Sequence, residues 1–180
     1  RAGALPQERD IRLYAELRDG HLIAQPGWPA FDSVNGTLRL HNRQVAIEQG
    51  SATLWDSRVE DVSVAVGRTV AEQPMRIDVT GNVIGKVEDA LRFLQQAPLG
   101  EQTAELVAGW EGAGTASGQM TLGLNLQQGA KPDLALDFTT QAAQLSVPAL
   151  QTTLTDIAGA FSYQHGRGLT APAVSLRLLG

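Results

Sequence analysis

Polar and apolar residues alternate along most of this chain. Ile11, Leu13, Ala15 and Leu17 alternate with Asp10, Arg12, Tyr14, Glu16 and Arg18, the period of a strand with one apolar face. Met120, Leu122, Leu124 and Leu126 alternate in the same way with Gln119, Thr121, Gly123, Asn125 and Gln127, and Leu134, Leu136 and Phe138 with Asp133, Asp137 and Thr139. The same reading predicts strands near 34–41, 44–49, 51–55, 58–66, 75–83, 143–148, 157–164 and 169–178. Turn signals divide them at Asp19-Gly20, His41-Asn42, Gln49-Gly50, Gln128-Gly129 and around Gly166 and Gly168. Connections this short make neighbouring strands antiparallel, because a parallel pair needs a crossover of about a dozen residues or more. The pattern predicts a meander.

One stretch changes period. Over 86–97, Val87, Ala90, Leu91 and Leu94 recur at helical spacing, Glu88 and Asp89 fall in the first turn, and Pro98 follows. The helix dipole favours acids at that end, and proline stops the helix at the other. Val87, Leu91 and Leu94 are expected to lie on the sheet, as a lid or a rim support. A weaker helical turn is expected over 101–108, followed by a loose loop through Gly109, Gly112, Gly114 and Gly118 back into strand.

An internal repeat runs at an offset of 123 residues. It pairs Asp10 with Asp133, Ile11 with Leu134, Leu13 with Leu136, Leu22 with Leu145 and Val34 with Ile157. Gly36 then falls on Gly159, Leu38 on Phe161 and Leu40 on Tyr163; after one insertion, Val45-Ala-Ile47 falls on Leu169-Thr-Ala171. We read 1–180 as a single fragment of a longer array, with one repeat over about 10–132 and the start of the next over 133–180. The opening at Arg1, without a signal peptide, and the strand-like ending Val174–Gly180 fit an excised piece.

Composition narrows the chemistry. The chain has 180 residues, 14 Lys+Arg against 19 Asp+Glu, a formal charge of −5, and only Lys86 and Lys131 as lysines. That balance gives no basic face for nucleic acid. No apolar run reaches the roughly 18–20 residues of a membrane span. The absence of cysteine removes disulfides, thiolate zinc sites and thiol nucleophiles. His21, His41 and His165 sit near turns without a second ligand at metal spacing, so they read as surface histidines, and no metal or other cofactor is implied.

Asp56, Glu60 and Asp61 could be a carboxylate pair for acid–base work, but nothing apolar surrounds them, so a solvated turn is the expectation. The glycine run 112–118 follows a helix and precedes a strand, the reverse of a dinucleotide loop. Asn35-Gly36-Thr37 matches a glycosylation sequon that the copy at Ala158-Gly159-Ala160 lacks, so Gly36 and Gly159 read as strand glycines at a bend or bulge. Trp28, Trp55 and Trp110 are expected to plug edges or core. No active site is visible, and an enzyme is not expected.

About ten strands with one apolar side each present more apolar area than one short helix covers. The sheet can close into a sandwich or barrel, or curl into an open trough for an apolar ligand. Periodicity alone leaves both open, and with the closed form a structural or adhesion module of the cell envelope with no ligand.

Three stretches resemble the recurring units of the YhdP branch of the AsmA-like proteins, long envelope proteins of Gram-negative bacteria. One is Trp28–Leu38 with its later counterpart Leu154–Tyr163, another is Met75–Gly81 leading into Val87–Leu99, and the third is Trp110–Gly112 running into Gly118–Leu126. The resemblance implies a curved antiparallel meander forming an open groove with one amphipathic helix. It also implies a periplasmic segment of a protein anchored in the inner membrane, moving phospholipids or similar lipids between the two membranes without catalysis. Partners would be lipid acyl chains and adjoining repeats of the same chain, with membrane contact only through parts outside this segment. Ile11, Leu13, Leu17, Leu38, Leu40, Met120, Leu122, Leu124, Leu126, Leu134, Leu136 and Phe138 would then line the groove.

Overall fold

The computed structural model describes residues 11–24, 26–42, 44–67, 75–98, 104–105, 107–127 and 130–179. The strands are β1 Arg12–Ile23, β2 Ala30–His41, β3 Gln44–Leu54, β4 Ser57–Gly67, β5 Arg76–Lys86, β6 Glu111–Ala113, β7 Thr115–Asn125, β8 Asp133–Val147, β9 Thr152–Gln164, β10 Gly168–Thr170 and β11 Val174–Leu179. Helix α1, Val87–Gln96, follows β5, and a 3-10 turn, Pro148–Leu150, follows β8. All pairings are antiparallel, in the order β1-β2-β3-β4-β5-β7-β8-β9-β10, with β11 also on β9 and β6 also on β8. Among the described residues the sheet stays open and does not close into a barrel.

Several expected turns are not turns. Asp19-Gly20 lies inside β1, and Gln49-Gly50 joins the two pieces expected at 44–49 and 51–55 into one strand. The strands expected at 133–139 and 143–148 fuse likewise into β8, and β9 starts before residue 157. Conversely, the piece expected at 169–178 divides into β10 and β11. The reason for the fusions is a line of bulges. Asp19, Ser33, Gln49, Asp61, Ala142 and Asp156 all have positive φ, one in each of β1, β2, β3, β4, β8 and β9. Each sits at a slip of the ladder register. An extra residue there bends and twists the strand without ending it.

The bulges also preserve one apolar face. Each changes the step between apolar positions from two residues to three, as in Leu17 to Gly20, Ile47 to Gly50, Val59 to Val62 and Thr140 to Ala143. Asn35 pins two of them: it accepts from the Asp19 N–H (3.0 Å) and donates to the Ser33 carbonyl (2.7 Å). Gly36 follows it at a register slip, the bulge read from the sequence.

Two pairs of residues 123 apart share backbone geometry. Ser33 and Asp156 have φ 48° and 51°, and Gly36 and Gly159 have 156° and 157°. The pairs Leu13↔Leu40, Gly20↔Val34 and Leu22↔Phe31 recur as Leu136↔Tyr163, Ala143↔Ile157 and Leu145↔Leu154. Beyond the insertion, Leu40↔Val45 recurs as Tyr163↔Leu169.

Candidate functional site: an apolar trough with a helix in it

Register assembles the apolar residues into transverse rows. One row crosses the sheet as Leu13, Leu40, Val45, Val66, Ile77 and Leu124. The next runs Ala15, Leu38, Ile47, Val64, Val79, Leu122 and Leu134. Further along β7, Met120 lies beside Leu136 and Tyr163, and Phe138 stacks on Phe161 with centroids 5.2 Å apart. Leu17 shares this face opposite Gly36. Ile11 and Leu126 lie just outside the strands at the same end, tied to Asn42 and to the Met75 carbonyl.

The opposite face is polar. Arg39 pairs with Glu48 (3.0 Å) and lies over the Tyr14 ring, and His21 meets Asp32 (2.6 Å). Arg76 crosses Gly123 to reach both Asp78 (2.5 Å) and Asp133 (3.7 Å). Asp78 first, then Asp133, raises the Arg76 pKa, so its charge is fixed.

Helix α1 begins where the sequence places it and lies on the apolar face. It follows β5 directly and lies against β6 and β5, with its amphipathic side packed on apolar side chains of β5, β7 and β8. Ala97, Leu122, Leu124, Leu134 and Trp28 form one buried cluster, with Ile77, Val79, Phe93, Leu94, Met120 and Tyr163 packed against it. Leu91 is buried and Val87 half-buried. The helix therefore divides the predicted lining. Leu122, Leu124 and Leu134 lie under it, 8%, 5% and 4% exposed, whereas Ile11, Leu13 and Leu126 are 55%, 50% and 49% exposed. Leu17, Leu38, Leu40, Met120, Leu136 and Phe138 are half-buried.

Two features of this cover escape a linear reading. Trp28, from the β1–β2 connection, meets Phe93 edge-on with centroids 5.8 Å apart. At the start of the helix, buried Asp89 accepts from the Ser57 hydroxyl (2.6 Å) and the Asp56 N–H (3.2 Å), and the Ser57 oxygen accepts from the Lys86 N–H (3.1 Å). Lys86 donates to Asp56, and the Arg92 guanidinium lies 4.2 Å from the Trp55 ring centre. Asp56 is held below its ordinary pKa by the hydrogen bond and charge of Lys86, which is raised in return. Only the helix-dipole preference for an acid at Asp89 hinted at this latch.

The rest of the expected chemistry resolves as structure. The loop expected through Gly112 to Gly118 is instead β6 and the start of β7. Gly112 lacks a side chain where Val87 and Leu91 of the helix lie, so the strand fits beneath them. Of the weaker helical turn, Ala104 and Glu105 are helical, Val107 to Gly109 turn, and 101–103 and 106 lie outside the described residues. Asp61, on β4, accepts from Asn82 of β5 (3.0 Å), whereas Asp56 accepts from Lys86, so the acid–base pair does not form. His21 and His41 are exposed, but His165 is half-buried, with Nδ1 unpartnered.

Among the described residues no three His, Asp or Glu side chains gather as metal ligands, and no helix is long and apolar enough to cross a membrane. The trough floor offers apolar contact and little else. Comparison with curated proteins and with solved structures gives no match. The sequence model of the YhdP protein family, however, matches residues 5–180, nearly the whole chain, and the chain belongs to that family of AsmA-like envelope proteins.

Proposed function

We propose that this chain is a segment of a non-catalytic conduit, an apolar trough that carries phospholipids or similar lipids across the periplasm between inner and outer membranes. The observation that carries the reading is the pair of unbroken apolar rows from β1 to β7 and β8, backed by a polar outer face. Lipid acyl chains lie along the open part of the floor, and each methylene taken fully from water contributes up to about 0.8 kcal/mol. The two rows carry only aliphatic side chains, so discrimination between lipids along them is weak. Membership of the YhdP family supports the same reading. In it, the repeat at 10–132 is followed by the start of another at 133–180, and adjoining repeats extend the trough at both edges. The parent protein is anchored in the inner membrane through parts outside this segment.

Native mass spectrometry with extraction and lipid identification tests this. Phospholipid is expected to co-purify with the chain and to be lost in Leu40→Asp while circular dichroism stays β-rich. A lipid-free mass from both proteins would favour a structural spacer of the envelope instead.

A further inference from the structure

We propose that the floor beneath helix α1 is itself an acyl-chain site, and that α1 is a plug that yields it to lipid. The inference rests on the lipid-trough reading. The floor does not change chemistry at the helix: the row that passes under it through Leu122 and Leu134 is the row of Val64, Ile47 and Leu38 outside it. What changes is the cover, and the cover imitates a lipid tail. Phe93, Leu94 and Ala97 present only carbon to Leu122, Leu124 and Leu134.

The plug is built to move. Ten residues of helix are fewer than the ~12–15 that hold together alone in water, so α1 persists by docking. The ion pair and the carboxylate hydrogen bonds that hold it, Asp89 to Ser57 and Lys86 to Asp56, all sit at its N-terminal end, where it leaves β5. Toward the other end it is held by apolar packing, by the Trp28–Phe93 contact across the trough, and by Gln95 donating to the Val107 carbonyl (3.0 Å). A helix of this length spans roughly 15 Å, against roughly 36 Å for an eleven-residue strand. The uncovered floor lies at the Ile11, Leu13 and Leu126 end, so a chain entering there meets the apolar, weakly tied end of α1 first. The polar latch then acts as the hinge.

The chain has no cysteine, so the pair Trp28→Cys with Phe93→Cys can be bridged by a short bis-thiosulfonate, which forms a disulfide at each cysteine with loss of sulfinate and is released by reductant. The probe is phosphatidylethanolamine with a diazirine-bearing acyl chain, offered in vesicles, with labelled residues mapped by mass spectrometry. The unbridged protein is expected to carry label on β7 and β8 around Leu122, Leu124 and Leu134. Bridging should remove that label several-fold, leave the label around Leu13, Leu38 and Leu40, and be reversed by reductant. Equal labelling of β7 and β8 in both states would overturn the plug, as would label confined to β1–β4 in both. No label anywhere would sink the lipid reading itself, and the plug with it. Should the double variant fail to fold, hydrogen exchange on the unmodified chain decides: α1 amides lose protection when vesicles are added if it is a plug, and keep it if it is fixed core.

Discussion

Strands β5 and β7 and strands β1 to β4 carry the same alternation but meet different fates. β5 and β7 pair without a slip from Arg76↔Asn125 to Lys86↔Thr115. Each of β1 to β4 instead carries one non-glycine residue at positive φ and a slip beside it. The regular ladder gives a floor on which a straight helix can lie. The bulged strands twist away from it, and their β1–β2 connection brings Trp28 onto the helix. One apolar face thus becomes open trough around Leu13 and Leu40 and closed core around the helix, a core that reaches Leu54 and Val59 beyond the bulges of β3 and β4. Hydrophobic pattern sets which residues share a face; what lies over that face sets which of them keep water, since Leu134 and Ile157 are buried on the bulged strands β8 and β9.

Truncation should separate the two regions most sharply. Leu134, 4% exposed, sits in the covered cluster, so Leu134→Ala should cost about 2–5 kcal/mol. Leu40, half-buried on the open floor, should lose about 1 kcal/mol or less on truncation to alanine. Denaturant unfolding of the two variants measures the gap. Equal losses would mean that the trough is closed over Leu40 as well.

The fold line itself is the next target. A Cβ at Gly50 would meet the Val62 Cβ at 2.9 Å and the Val62 carbonyl at 3.0 Å, where β3 and β4 bend together. Gly50→Ala should therefore cost about 1–3 kcal/mol through overpacking. Gly67, with nothing within 4 Å of the same added atom, should tolerate alanine within about 0.5 kcal/mol. A neutral Gly50→Ala would show that the bulges are too pliable to set the curl.

These residues also mark how far a sequence reads. Alternation alone places Leu13, Leu40, Leu124 and Leu134 on one face, because the pleat allows no other arrangement. It also locates the helix, whose period differs. The bulges were readable in principle as three-residue steps between apolar positions. Asp19-Gly20 and Gln49-Gly50, though, use the same residues as hairpin turns, and only the ladder on both sides tells a bulge from a turn. The cover on the floor was not readable. Trp28 lies 65 positions from Phe93, and Ser57 lies 32 from Asp89, and neither pair has a local spacing to betray it.

The latch gives a smaller effect, confined to the covered region. Ser57→Ala removes the hydroxyl that satisfies buried Asp89 at 2.6 Å and should cost about 1–2 kcal/mol, since a buried acceptor loses a partner. Hydrogen exchange should show the loss concentrated in α1, with the amides of β1 and β2 unchanged. A loss spread evenly over the sheet would mean that helix and sheet unfold as one unit, and the division into two regions would fall.

The smallest effect is the pH response of the exposed Lys86–Asp56 pair beside that latch. Lys86 lowers the Asp56 pKa in the folded chain, so this contribution is complete above the ordinary aspartate value and fades as pH falls through the depressed one. Asp56 raises the Lys86 pKa, so the reciprocal contribution is complete below the ordinary lysine value and fades as pH rises through the raised one. Between the two the pair adds a constant, modest amount, weakened by salt. The difference in melting temperature between the parent chain and Asp56→Asn should be flat across neutral pH and shrink toward both extremes. A difference that persists at low pH would place the effect of Asp56 in packing at the helix start rather than in its charge.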